Sequence, residues 1–227
     1  MAIEKLQTEQ PIELSAEQVA FIEKQNPQFK EWHVESGKPG EWLNQDTFCV
    51  GAFNGVGMVY MHVVVDTWCS YAFGFLHVPK QSEAAVAVLQ NDVLPFYRKY
   101  RLKVEHILTD NGREFCGTEN HPYEMYLELN DIKHRRTKVR HPQTNGFVER
   151  FNRTMLDEFF RIKLREKVYE SVEILQEDFG GCLKLYNEQR PHMGYRNHGK
   201  NLWNGLTALL KLLSEILKNK NNNIFRQ

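Results

Sequence analysis

The chain has 227 residues, 41% of them hydrophobic and 26% charged, with a formal net charge of zero. On a prior of about 150 residues per domain this suits one full domain with appendages, and the apolar runs stop short of the roughly 18 residues that a membrane span requires. Four scattered cysteines without a C-x-x-C pair leave no basis for a cysteine-built zinc site. His192 and His198, spaced H-x5-H with no cysteine pair nearby, read as surface histidines.

In chain order, residues 12–25 predict a helix, with Ser15 as N-cap and Gln18 three positions on. Residues 26–41, with Pro27, Gly37, Pro39 and Gly40, read as a connecting segment. A strand over Leu43–Val50 leads to Asn54-Gly55, a hairpin signal because a type I′ turn needs positive φ at both central positions, and Gly57 adds freedom there. Met58–Val65 is nearly all apolar, as a strand buried on both faces should be. Tyr71–Val78 completes a three-stranded meander.

Ser82–Tyr100 predicts a helix with Ala85, Val88, Leu89, Val93 and Phe96 on one stripe and a kink at Pro95. Lys103–Leu108 is a short strand, Pro122–Leu129 a helix and Ile132–Thr137 a strand. Phe147–Glu166 predicts a long amphipathic helix, and Val172–Tyr186 another, weakened by Gly180-Gly181. Leu206–Leu217 has leucines at helical spacing and precedes the polar KNKNNN at 218–223. The fold class is therefore α/β. A five-stranded mixed sheet in the order β-β-β-α-β-α-β-α carries helices on both faces, with additional helices at the C-terminus.

The zero net charge conceals a split. Residues 1–46 carry nine acids against four lysines, whereas 133–153 carry seven lysines and arginines against Glu149 alone. A phosphate backbone responds to such a local patch and not to the sum over the chain. Three acids, one of them inside that patch, are of special interest. Asp46 stands in QDTF, Asp110 ends an apolar run in LTDNGREF, and Glu149 lies in HPQTNGFVERFNR. A strand, a strand end and a helix start can bring such carboxylates together. Oxygen-only ligands suit Mg²⁺ or Mn²⁺, and two such ions per active site can drive in-line displacement at a phosphodiester. Each acid also has a plainer use: Asp46 as a strand-edge residue facing water, Asp110 in an Asx turn, and Glu149 as a helix-start acid favoured by the dipole. Asp66 follows an apolar strand as Asp110 does, but begins a turn and is left outside the site; Glu114 reads as a surface residue of a turn.

At LTDNGREF, HPQTNGFVERFNR and YNEQRPHMGYRN, the chain resembles bacterial insertion-sequence transposases with an integrase-type (DDE) catalytic core, of the retroviral-integrase superfamily. The likeness runs from about Ile12 to about Asn204. It implies a ribonuclease-H-like fold in which Asp46 bridges two metals, Asp110 holds one and Glu149 closes the site. It also implies hydrolysis at the element's ends, transfer of the freed 3′-hydroxyl into target DNA, and a homo-oligomer assembled on that DNA in the bacterial cytoplasm. No membrane and no organic cofactor are expected. Lys138, Arg140, Gln143 and Asn145, in the loop before the helix, and Arg150 and Arg153 on it are expected to contact DNA, with Asn145 also the helix N-cap. The chain divides into an N-terminal helix and linker (1–38), a remnant of a longer region, the catalytic core (39–190), and an extension with an amphipathic helix and polar tail (191–227). Two alternatives stand beside this reading: an inactive, truncated DNA-binding remnant, and a ribonuclease H-type nuclease, which would use an additional site acid.

Overall fold

The computed structural model describes residues 36–53, 56–78, 81–117, 119–137, 145–192, 201–203 and 206–207. The chain divides into two compact units, Met1–His33 and Val34–Gln227, and all described residues belong to the second. The helix expected at 12–25, the Asn54-Gly55 turn, the 138–144 loop and nearly all of the leucine-spaced C-terminal helix with its tail lie outside the described residues.

Five strands form one mixed sheet: β1 Trp42–Phe53, β2 Gly57–Asp66, β3 Ala72–His77, β4 His106–Thr109 and β5 Lys133–Arg136, in the spatial order β3-β2-β1-β4-β5. The meander pairs are antiparallel, while β4 pairs β1 and β5 pairs β4 in parallel. β1 is longer than its sequence suggests and carries a register shift between Cys49 and Gly51. Gly57 takes φ +103°, the freedom expected of it at the bend.

Side chains alternate across β2. Val59, Met61, Val63 and Val65 enter one core and Val64 the other, so both faces are buried. The first core is closed by α4 (Gly146–Met155) and α6 (Val172–Glu188), through Val148, Phe151, Phe179 and Tyr186. The second is closed by α1 (Ser82–Val88), α2 (Leu94–Lys99) and α3 (Pro122–Leu129), through Ala85, Val88, Tyr97 and Tyr123. α5 (Arg161–Glu166) extends the α4 stretch and buries no residue of its own.

Two helical stretches differ from expectation in the same way. A wide π turn at Leu89–Val93 separates α1 from α2, and Pro95 then falls in the first turn of α2. The wider turn gives the proline ring room that a regular helix denies it. A second π turn, Leu156–Phe160, separates α4 from α5 and turns the adjacent Phe159 and Phe160 both into the core.

Helix α6 runs unbroken through Gly180-Gly181. Each glycine costs about 1 kcal/mol relative to alanine in a helix, and tertiary contacts on either side offset that. Phe179 stacks on Phe160 with centroids 5.7 Å apart and lies so close to Gly74 that a Cβ there would meet its ring at 2.7 Å. The Asn187 amide accepts from the Ala72 N–H (3.0 Å) and donates to its carbonyl (2.8 Å), and Gln176 accepts from the Leu76 N–H (2.7 Å). Helix α6 thus occupies the open edge of β3, where an unpaired strand is a liability.

Asp66 ends β2 and pairs with Leu43 near the start of β1, so the antiparallel strand carries it away from the end where β4 terminates. It is fully buried and accepts from the backbone N–H groups of Gly40, Trp68 and Cys69 and from the Tyr97 hydroxyl. Burial pushes its pKa up and the four donors pull back, leaving it above the ordinary carboxylate range. It is a structural node, as its omission from the site requires. Asp66→Asn strands buried donors, and urea unfolding should register a loss of about 1–3 kcal/mol; unchanged stability would show that the donors find other partners.

Candidate active site

The site is built on the parallel seam between β1 and β4. Trp42 pairs with His106, Leu43 with Ile107 and Asn44 with Leu108, and the Trp42 ring stacks on His106 at 4.3 Å. Asp46 follows the last pair by two residues on β1 and Asp110 by two on the other side, just past β4, close enough for the Asp110 charge to act on Asp46. Gln45, fully buried, anchors this stretch by donating to the Ala85 carbonyl (2.8 Å) and accepting from the Tyr123 hydroxyl (2.7 Å).

Asp46 accepts from the Thr47 N–H at Oδ1 (2.8 Å) and from Asn152 Nδ2 at Oδ2 (2.9 Å). Its pKa is raised, first by burial and then by the negative charges of Asp110 and Glu114, while the Thr47 and Asn152 hydrogen bonds oppose the rise. Asp110 Oδ1 accepts from the Gly112 N–H (2.8 Å), which is the Asx turn its sequence allows. Asn111 ties the loop to the end of β5 by donating to the Thr137 carbonyl (2.9 Å).

Glu114 corrects its sequence reading. It is 4% exposed and no surface residue. A Cβ on Gly112 would meet Glu114 Oε2 at 2.6 Å and Asp110 Oδ1 at 2.9 Å, so the two carboxylates crowd over that glycine. The cause is a tight turn, in which the N–H groups of Phe115 and Cys116 both donate to the Gly112 carbonyl (3.0 and 3.1 Å), while Phe115 is driven fully into the core. A sequence signal existed in the buried aromatic next to the acid, but only the turn decides which way Glu114 faces.

Glu149 is exposed, in the first turn of α4. The residue of α4 that reaches Asp46 is Asn152, three positions on and one turn along the same face. Asn152 was not singled out by its sequence. It is 5% exposed, and its Oδ1 is buried without a hydrogen-bond partner. Among the described residues, no three His, Cys, Asp or Glu side chains converge as a ready metal cage. The donor chemistry nonetheless suits a hard cation: adjacent carboxylate oxygens at Asp46 and Asp110 and an orphaned amide oxygen at Asn152.

Of the residues expected to contact DNA, Arg150 and Arg153 are exposed on α4. Arg153 does not turn back to Glu149; its Nε lies 3.8 Å from Asp157 Oδ2. Asn145 occupies the N-cap position but makes no side-chain cap bond, and its buried Oδ1 has no partner. Lys138, Arg140 and Gln143 lie outside the described residues. His192 Nε2 donates to the Tyr186 carbonyl (3.0 Å) and packs edge-on against the Tyr186 ring, a role in packing.

Two family models, both described as Integrase core domain, match residues 36–142 and 130–198. Together the two matches span residues 36–198, so this stretch is similar to an integrase core domain. The provisionally named integrase ORF3 of Spiroplasma virus SpV1-C74 is 25% identical over 142 residues, 59% of this chain and 38% of that protein. The chain thus spans well under half the length of this curated relative. Among solved structures, the HTLV-2 integrase catalytic core domain in complex with magnesium superposes with a TM-score of 0.56 at 18% identity, over 75% of this chain and 98% of that one. An integrase chain of the simian T-cell lymphotropic virus intasome gives 0.58 at 18%, over 76% and 56%. The catalytic core domain of BIV integrase gives 0.51 at 19%, over 79% and 99%. The five-stranded sheet and its helices are the ribonuclease-H-like fold of these cores.

The electrostatics of Asp46 can be tested without any metal. A carboxyl whose folded pKa exceeds its unfolded value contributes stability that is present below the unfolded pKa and lost as pH rises through the folded one. Metal-free Asp46→Asn should therefore be more stable than the parent chain at neutral pH. The gap should close below about pH 4, where both side chains are neutral. Urea unfolding at the two pH values decides it, and a gap that is constant with pH contradicts the assignment.

Proposed function

We propose that this chain is the catalytic core of a DNA transposase or integrase of bacterial insertion-sequence type. On this reading Asp46, Asp110 and Glu149 hold divalent magnesium or manganese, two ions per site, which when bound supply charge neutralisation at the reacting phosphate and an activated oxygen nucleophile. The observation that carries it is the register that brings Asp46 close enough to Asp110, just past β4, for their charges to interact, with α4 docked on Asp46 through Asn152. Glu149 stands one turn before Asn152 on the same helix, and the proposal requires its side chain to turn toward Asp46. Asn152 holds Asp46 in orientation, and Glu114 adds negative charge against Asp110.

Two displacements follow in order. Water attacks the phosphorus at an element end, and the departing 3′-oxygen gains a proton. The freed 3′-hydroxyl then attacks a target phosphorus, loses its proton and displaces the target strand's own 3′-oxygen, so phosphodiester number is conserved. Arg150 and Arg153, with Lys138, Arg140, Gln143 and Asn145 of the preceding loop, would position the DNA backbone. Core 39–190 would act between the 1–38 and 191–227 segments, as a homo-oligomer in the bacterial cytoplasm; no helix among the described residues is long and apolar enough to cross a membrane.

Glu114 favours a second reading, a ribonuclease H-type nuclease, because that chemistry uses an additional acid beside the first. One experiment separates the readings: the chain with Mn²⁺ or Mg²⁺ is offered plasmid DNA and an RNA–DNA hybrid side by side. Metal-dependent nicking and joining of DNA, lowered at least about 10²-fold by Asp110→Asn with DNA affinity retained, supports the transposase. Cleavage confined to the hybrid supports the nuclease. DNA binding with no metal-dependent product in either substrate leaves the non-catalytic remnant and defeats the proposal.

A further inference from the structure

Behind Asp110 lies a buried hydrogen-bond chain that the proposed chemistry does not use. Thr109, the last residue of β4, is 0% exposed. Its hydroxyl donates to the backbone carbonyl of Asp110 (2.8 Å) and is paired with Nε2 of His134 on β5 (2.9 Å). A hydroxyl has one proton to give. With that proton on the Asp110 carbonyl, the oxygen accepts from His134, which assigns the imidazole proton to Nε2. The ring packs edge-on against Tyr123 at 5.4 Å, and Glu124 Oε1 lies 3.5 Å from Nδ1.

We infer that Thr109, steered by His134, is a positioning residue for Asp110: its hydroxyl pins the Asp110 carbonyl and so fixes the direction in which that carboxylate leaves the strand. This rests on the proposed role of Asp110 as a metal ligand. The physical need for a pin is local. The next two residues are Asn111 and Gly112, a turn string with little stiffness of its own. Rotation of the peptide after Asp110 would carry Oδ1, bound to the Gly112 N–H, away from Asp46. The backbone bond from the Thr137 N–H to the Thr109 carbonyl (2.9 Å) holds the strand but leaves that next peptide free. Among the described residues, it is the Thr109 hydroxyl that reaches it. A valine in this place would fill the same space and suit the strand equally, so the hydroxyl and not the shape carries the inference. His134 in turn keeps the hydroxyl from rotating: burial lowers the imidazole pKa against the pull of Glu124, favouring the neutral ring with a single proton to donate.

The test uses the full chain with Thr109→Val and Thr109→Ser, and with His134→Leu and His134→Gln as a pair that removes or keeps the donor from β5. In metal-free protein, the Gly112 amide should exchange about tenfold faster in Thr109→Val and His134→Leu than in the parent, at equal global stability. Mn²⁺ binding followed by electron paramagnetic resonance should weaken about tenfold in the same two proteins, while Thr109→Ser and His134→Gln stay within about twofold of the parent. Thr109→Val matching the parent in both readouts overturns the inference, as does Thr109→Ser falling as far as Thr109→Val, since packing would then be the cause. If Mn²⁺ binding is absent from the parent too, the metal reading fails, and the exchange rates alone still decide whether the hydroxyl pins the loop.

Discussion

Parallel pairing between β1 and β4 is the constraint on which the rest depends. Three backbone pairs, clamped at one end by Trp42 stacked on His106, bring residue 46 and residue 110 close enough for their charges to interact although 63 residues separate them. A slip of one residue would send every side chain of β4 to the opposite face, placing Ile107 outside its core and Asp110 away from Asp46. The same short strand is braced from β5, whose Thr137 N–H holds the Thr109 carbonyl and whose His134 holds the Thr109 hydroxyl. The core on either side is thus the device that keeps two like charges together.

Bringing carboxylates together against their own repulsion costs stability in the absence of a counter-charge. Asp46 carries that cost openly, in a pKa raised by burial and by its acidic neighbours. Asn152 and the Thr47 N–H relieve it in part. Asp66 shows the contrast within one sheet: a more deeply buried carboxylate, surrounded by four donors. One acid is satisfied by the protein alone, while the other is left with an excess of negative charge. On the proposed reading a divalent cation supplies what the fold withholds, and the orphaned Oδ1 of Asn152 faces the same shortage of donors.

Much of this was legible in the residues. Alternation and turn signals located the five strands, the bend at Gly57, and the placement of Asp110 just past a strand end. Local reasoning failed where tertiary contacts override it. Gly180-Gly181 suggests a broken helix, yet Phe179, Asn187 and Gln176 fasten α6 along the edge of β3. Pro95 suggests a kink, yet a π turn upstream absorbs it. Glu114 looks like a surface acid until the turn closing on Gly112 buries it beside Asp110. Asn152 had one available signal, its position one turn after Glu149, but nothing local distinguishes a residue that holds Asp46 from any polar residue of a helix. Asn145 was legible as the N-cap by position, but its side chain makes no cap bond.

The central claim is that the seam between β1 and β4 is a divalent-ion site completed from α4. Diffraction from crystals soaked in Mn²⁺, recorded at a wavelength where manganese scatters anomalously, tests it most directly. The account predicts a peak between Asp46 and Asp110, roughly 2.0–2.3 Å from a carboxylate oxygen of each, with the Glu149 side chain drawn in from solvent. A fully soaked crystal with no peak at that seam, or with manganese bound elsewhere while Asp46 remains as it is, would contradict it.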